Sequence, residues 1–405
     1  MSPSLYSSNL PRNRPRAAQL SKRNMPVFIY YHHNRHHHHD QTASRDPRPR
    51  AQTTTFDLPA SGPLYFLSEG SLSGGDLAIT TSADQDENTV GVTVTVYCDE
   101  SLLNLFRVCT TSRRSGESGV GIFLINDDAR HPWIYAAARL GKRGSPLWIE
   151  KLETNMQNTS IAIDADRQYV SFGYLKLRTV NGAISSTSQL TMIEGSVDTT
   201  NGKVSGTWIA TRSLTIETTN GSIEGQYRSS GILGIATTNR PIEQAAFILE
   251  NKDASKKSVL NLETSNAPID ADIYLEGDIR NPKYEITAQA SNRPLNLSIQ
   301  TMPVDSTLIL SGNTSNKSAY VSLPAEFQGS FDLGTSRERV DLVKSTRTDP
   351  KGAGRTRVWR ISSLGFGGTN VSGSTYWSKG SDESKIANYG SVTLFTSNAK
   401  ATLEL

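Results

Sequence analysis

The stretches LKLRTVNGAI (175–184), SVDTTNGKV (196–204) and LTIETTNGSI (214–223) decide how this chain is read. Each sets an asparagine after a short alternating run, with an apolar residue four positions before it and another three after. Further copies are LGIATTNRPI (233–242), LNLETSNAPI (260–269), YEITAQASNRPL (284–295) and VTLFTSNAKA (392–401). Aligned on Asn181, Asn201, Asn220, Asn239, Asn266, Asn292 and Asn398, the −4 position holds Leu177, Val197, Ile216, Ile235, Leu262, Ala288 and Leu394. The +3 position holds Ile184, Val204, Ile223, Ile242, Ile269, Leu295 and Ala401, and threonine fills −2 in all copies but the sixth, where Ala290 stands. Side chains alternate along a strand, so −4 and −2 share one face. The threonines therefore point with the buried residues rather than into solvent.

Asparagine and glycine suit turns, so Asn-Gly at 181–182, 201–202 and 220–221 marks a corner. From Asn239 onward the glycine is lost, and Pro241, Pro268 and Pro294 follow two positions after the asparagine. Proline fixes φ near −65° and offers another route round a corner. An Asn-Gly pair could equally close a β-hairpin. The spacings of 20, 19 and 19 between the first four asparagines favour one repeat per coil. Strands of successive coils would then stack in parallel. Later spacings of 27 and 26 imply loops bulging from one side. Thr314-Ser315-Asn316 reads as a degenerate copy at best.

The expected fold is all-β: a β-solenoid over residues 151–405, carrying a polar, Gly-rich insertion at about 335–385. Residues 56–150 form an N-terminal β-rich region that could cap one end of the stack. Its expected strands include Leu77–Thr81, Val90–Tyr97, Leu102–Val108 and Val120–Ile125; Trp133–Leu140 could be a strand or a short helix. If Val90–Tyr97 and Leu102–Cys109 are hairpin arms, Cys98 and Cys109 stand too far apart for a disulfide. Both then stay reduced. Residues 1–55 are rich in Pro, Arg, Ser and His and carry a net charge of +7, so the rest of a chain of net +3 is mildly acidic. A tail of that composition buries too little apolar area to offset its ordering entropy and is expected to be disordered.

The T-[TV]-N-G-x-[IV] units at 177–223 and the closing SVTLFTSNAKATLEL (391–405) resemble the putative-adhesin domain of unknown function. More narrowly, GKRGSPLWIEKLETNMQNTSIAI (141–163) with the repeats after it resembles an uncharacterised family of basidiomycete (fungal) proteins. The resemblance spans roughly 56–405 and implies a right-handed β-solenoid or β-roll. It carries over no catalytic residue and no cofactor.

Other chemistry is sparse. His32, His33 and His36–His39 could bind a transition metal, but a low-complexity tract gives no fixed geometry. Arg12, Arg14, Arg16, Lys22 and Arg23 could attract nucleic acid or an acidic surface. Asp164/Asp166 and Asp270/Asp272 each put two carboxylates on one strand face, without the further oxygen ligands of a calcium loop. Asp127–Asp128 reads as a solvated turn, and His131, the one histidine beyond the tail, has no partner with which to build a triad. Sequons at Asn158, Asn220, Asn296, Asn313, Asn316 and Asn370 matter only in a secreted chain. The outward positions Lys176, Arg178, Asp198, Thr215, Glu217, Ala236, Glu263 and Gln289 repeat no residue type, which disfavours a catalytic or phosphate-binding stripe.

The sequence contains no secretory h-region, bilayer-spanning run or anchor signal, so an intracellular chain is the default expectation. The reading that follows is a non-enzymatic structural or interaction scaffold, adhesin-like, with a protein or glycan as partner. The alternatives are a carbohydrate-active enzyme of parallel β-helix type, and binding of nucleic acid or an acidic surface through the tail.

Overall fold

A computed structural model describes residues 50–405, apart from 71, 115, 126–131, 142–145, 166, 365 and 381–389. The alternation of Val, Ile, Leu and Thr with polar residues produces strands almost throughout. The first are β1 (Arg50–Pro59), β2 (Leu64–Glu69), β3 (Gly74–Ser82) and β4 (Thr89–Cys98). A 3-10 turn at Glu100–Leu105 leads to β5 (Phe106–Thr111), β6 (Ser118–Leu124), β7 (Trp133–Gly141), β8 (Leu147–Asn155) and β9 (Thr159–Asp164). Then come β10 (Val170–Arg178), the long β11 (Ile184–Thr199) and β12 (Val204–Thr218), β13 (Ile223–Ser229), β14 (Ile232–Thr237) and β15 (Ile242–Glu250). They continue as β16 (Ser258–Thr264), β17 (Ile269–Glu276), β18 (Lys283–Ala290), β19 (Leu295–Thr301), β20 (Thr307–Thr314) and β21 (Ala319–Ser322). The last are β22 (Gly329–Thr335), β23 (Asp341–Val343), β24 (Thr356–Leu364), β25 (Asn370–Ser378), β26 (Gly390–Thr396) and β27 (Ala401–Glu404).

Each coil supplies one strand to each of two facing parallel ladders. The first runs β6, β2, β8, β10, the C-terminal halves of β11 and β12, then β14, β16, β18, β20, β26 and β22. The second runs β7, β3, β9, the N-terminal halves of β11 and β12, then β13, β15, β17, β19, β21, β27 and β23. This is a β-solenoid. Parallel stacking rules out the Asn-Gly hairpin, whose arms would pair with each other antiparallel.

Register follows the sequence offsets. Leu177 faces Val197, then Ile216, Ile235, Leu262 and Ala288 in successive coils. The +3 residues stack likewise from Ile184 to Ala401, all with 0% exposure. A second core column sets Trp208 against Tyr227 and Tyr227 against Phe247, the last two rings stacked with centroids 5.6 Å apart.

The order of the stack departs from the order of the chain at both ends. β26 and β27 lie between β20/β21 and β22/β23, so the C-terminal segment is the penultimate coil. β2 and β3 likewise lie between β6/β7 and β8/β9. Antiparallel strands then close the stack: β5 on β6, and β4 on β7 with β1 beyond it. At the other end β25 pairs with β22 and β24 with β25. A closure of this kind covers an open parallel edge that would otherwise invite another chain.

Two expectations are corrected, the hairpin and the end of the tail, and an open one is settled. β4 and β5 are not hairpin arms: β4 pairs with β1 and β7, β5 with β6. Cys98 and Cys109 are free thiols, the first buried and the second half-buried. Trp133–Leu140 is strand, held between β3 and β4. Residues 50–55, read with the tail from composition, are part of β1, where Thr53 and Thr55 face Thr95 and Thr93 of β4. Residues 1–49 lie outside the described residues. Residues 335–385, read as an insertion, hold β23, β24 and β25.

Arg357 fastens the closing hairpin. Its Nη2 donates to Phe327 O at 2.9 Å and its Nε to Thr375 Oγ1 at 2.9 Å, while its guanidinium lies 5.5 Å from the Trp377 ring centroid. Trp377 Nε1 donates to Ala325 O at 2.9 Å, binding the same loop. Burial lowers the Arg357 pKa to about 10, with Arg347 adding to the effect, so the cation persists at neutral pH. Arg357→Met is expected to cost about 2–4 kcal/mol, since charge-assisted bonds are lost and carbonyls left unpaired. Urea unfolding would read this, with early proteolysis between β23 and β25 as its local signature.

Glu153 does similar work at the other end. It accepts from Arg113 Nη2 at 3.0 Å and pairs with Lys151 at 2.9 Å, joining β8 to the β5–β6 turn. Burial opposes its charge, but the bonds from Arg113 and Lys151 prevail and hold its pKa down to about 2. A carboxylate depressed in the folded state adds stability above its unfolded pKa, lost as pH falls through the folded value. Wild type is therefore expected to lose more stability than Glu153→Gln between about pH 4.5 and 2. Urea midpoints across that range would check it.

Candidate functional site: the asparagine edge and the outer faces

Position 0 of each repeat forms one edge of the solenoid. Asn181 Nδ2 donates to Asn158 Oδ1, Asn201 to Asn181, and Asn220 to Asn201. The chain of amides continues through Asn239, Asn266, Asn292, Asn316 and Asn398, with bonds of 2.7, 2.8, 2.9, 2.8 and 2.8 Å. Backbone bonds run beside it, such as Asn220 N to Thr200 O at 2.7 Å and Asn239 N to Thr219 O at 2.9 Å.

Two members escape the sequence alignment. Asn158 precedes the first clear copy and is hidden because Met156 occupies the threonine position. Asn316, which looks degenerate, lies between Asn292 and Asn398. The offsets of Ile161 and Ala319, each three after its asparagine, are the signal that could have found them.

The buried threonines have a two-sided role. Thr199 Oγ1 donates to Gly182 O of the preceding coil at 3.1 Å and accepts from Gly202 N of its own turn at 3.1 Å. Thr218 repeats this with Gly202 O at 3.3 Å and Gly221 N at 3.0 Å. A hydroxyl both donates and accepts, so it satisfies two buried backbone groups that valine would leave unpaired.

Gly182, Gly202 and Gly221 do not adopt left-handed φ. They are small because the next backbone is close: a Cβ on Gly202 or Gly221 would sit 1.7 Å from the carbonyl oxygen of the glycine one coil back. Where proline stands at +2, the ladder uses that residue's carbonyl: Ile242 N donates to Pro268 O and Ile269 N to Pro294 O, each at 3.1 Å. The missing N–H of proline costs nothing there.

The outer faces differ from coil to coil. Arg178 pairs with Asp198 at 3.6 Å across adjacent coils, and Lys257 with Glu285 at 2.8 Å. Asp270 and Asp272 are exposed on β17, and Gln300 Nε2 donates to Asp272 Oδ1 at 2.7 Å. Asp164 ends β9, exposed; Asp166, Asp127, Asp128, His131, the tail histidines and Arg12–Arg23 lie outside the described residues. Among the described residues no group of three or more His, Cys, Asp or Glu is placed to hold a metal ion, and no helix is long and apolar enough to cross a membrane. Tyr97, Trp133 and Tyr135 come together on the outer face of the second ladder, 39%, 47% and 42% exposed. They come from separated segments of the chain, and only the alternation Trp133-Ile134-Tyr135 hints at them.

Comparison with known proteins adds a family match. A domain of unknown function (DUF7330) matches residues 196–351. No curated protein matches the chain. Among solved structures, it is similar to one described as a "putative cell adhesion protein" from Clostridium sporogenes, at 9% identity and a TM-score of 0.21, over 88% of this chain and 99% of that one. It is also similar to a "putative adhesin" from Bacteroides fragilis, at 9% identity and a TM-score of 0.23, over 87% of this chain and 96% of that one. The DUF7330 match runs from the C-terminal half of β11 to the segment after β23, and so falls within the repeats.

Proposed function

We propose that this chain is a non-enzymatic binding scaffold of adhesin-like kind: a closed solenoid that presents fixed outer faces to a partner. One observation carries the reading. Inside, successive coils keep a buried apolar residue three after the asparagine and the asparagine-to-asparagine bonds, while the outward position three before each asparagine runs Arg178, Asp198, Glu217, Ala236, Glu263, Gln289, Asn313 and Phe395. A regular frame with a varied surface suits recognition, because rigid strands hold contact groups with little loss of backbone entropy on binding. Affinity capture with the full chain, quantified against a folded control protein, tests this. A partner recovered in fixed stoichiometry and chemically unchanged is expected. Recovery of no partner, or of a converted product, would overturn it.

A further inference from the structure

Tyr97 of β4 stands directly opposite Trp133 of β7, and Tyr135, two residues along β7, stands opposite Thr95. Across the next strand pair Trp133 faces Gly74 and Tyr135 faces Asp76, both on β3. The six-membered ring of the indole overlies Gly74: its Cζ3 and Cε3 lie 2.4 and 2.8 Å from the place a Cβ would take. Any side chain at 74 would lift the indole off the sheet. At the backbone the three residues thus stand about 5 Å apart across the strands and about 7 Å apart along them. Polar groups edge the patch: the Thr53 and Thr95 hydroxyls, 3.0 Å apart, and the Asp76 carboxylate.

We propose that Tyr97, Trp133 and Tyr135 form a binding platform for a neutral polysaccharide. The complementarity is electrostatic. Ring faces carry the negative side of a quadrupole, and the axial C–H groups of a pyranose are weakly positive, so sugar rings stack on such faces. Sugar hydroxyls can donate to Asp76 and exchange hydrogen bonds with Thr53 and Thr95. Of the described charged residues pointing out from this part of the sheet, Asp57, Asp76 and Asp164 outnumber Arg139, which opposes a phosphate, sulfate or uronate polymer. The inference rests on the scaffold reading and names a ligand class for it.

Affinity electrophoresis of the full chain tests the platform, in gels containing laminarin, xylan or hydroxyethyl cellulose, with heparin as polyanion. Retardation by at least one neutral polymer is expected, weakened at least tenfold in W133A/Y135A with an unchanged thermal midpoint. Gly74→Ala, which touches only the far end of the indole, is expected to weaken retardation as well, and Trp133→Phe to keep part of it. No retardation by any neutral polymer, retardation by heparin alone, or equal retardation of W133A/Y135A would overturn the proposal. So would a wild-type dimer that W133A/Y135A converts to monomer without any polysaccharide binding. Partner capture without retardation by any neutral polymer leaves the scaffold reading standing while the platform falls; neither capture nor retardation removes both.

Discussion

A chain that ends before residue 390 is expected to lose cooperative structure throughout its last third, not merely its final coil. β26 and β27 each have a ladder partner on both sides, so their removal strips β20, β21, β22 and β23 of a neighbour at once. Val392, Leu394, Ala401, Leu403 and Leu405 are 0–1% exposed. Burial of a large aliphatic side chain contributes about 1.5–3 kcal/mol, and whole domains are stable by only about 5–15 kcal/mol. The fit is also specific: a Leu394 methyl lies 2.8 Å from where a Cβ on Gly312 would sit, in space that glycine leaves open. Hydrogen exchange should show protection lost over 307–343 and 356–378 but kept over 175–300. A peptide of residues 390–405 added in trans should restore part of it. Loss confined to the residues next to the cut would contradict the interleaved order.

The second large effect is expected at Gly202. Substitution by alanine brings Cβ to 1.7 Å from Gly182 O and 2.5 Å from Gly182 C, both backbone atoms that cannot rotate away. The coils must separate locally, and the Thr199 and Thr218 bonds across that corner lengthen with them. A cost of about 3 kcal/mol is expected, at the upper end for overpacking. Ala267, at the same offset in a later coil, is the control: replacement by glycine there should cost only about 0.5–1 kcal/mol, through backbone entropy. Urea denaturation of both variants checks the contrast; a Gly202→Ala protein within 0.5 kcal/mol of wild type, about the level of an ordinary surface change, would remove the close-contact account.

These two sites also mark what the sequence reveals and what it conceals. Apolar residues at −4 and +3 are legible because each packs against its own counterpart in the next coil, so stacking writes the same constraint into every repeat. The threonine parity is legible for the same reason. Gly202 reads as a turn residue, whereas its requirement arises from a backbone one coil away, and no local pattern distinguishes the two. The position of β26 between β20 and β22 is likewise concealed, since a parallel pairing leaves no mark on the residues between. Ala288 and Gly312 look like a fading repeat, yet Gly312 is small because Leu394 fills the space above it. The partners of β4 are concealed too: Val90, Val92, Val94 and Val96 reveal a strand with a buried face but not which strands flank it. Tyr97, Trp133 and Tyr135 become neighbours only once β4 and β7 are paired.

The interleaved C-terminal coil is tested most directly by methyl NOEs in protein labelled at leucine δ positions. The account predicts that Leu394 contacts Leu333 on one side and Leu295 or Leu310 on the other, because its strand lies between β20 and β22 and its methyl shares the space at Gly312 with theirs. Direct NOEs between Leu333 and Leu310, with Leu394 in contact with only one of the two coils, would show stacking in chain order and contradict it.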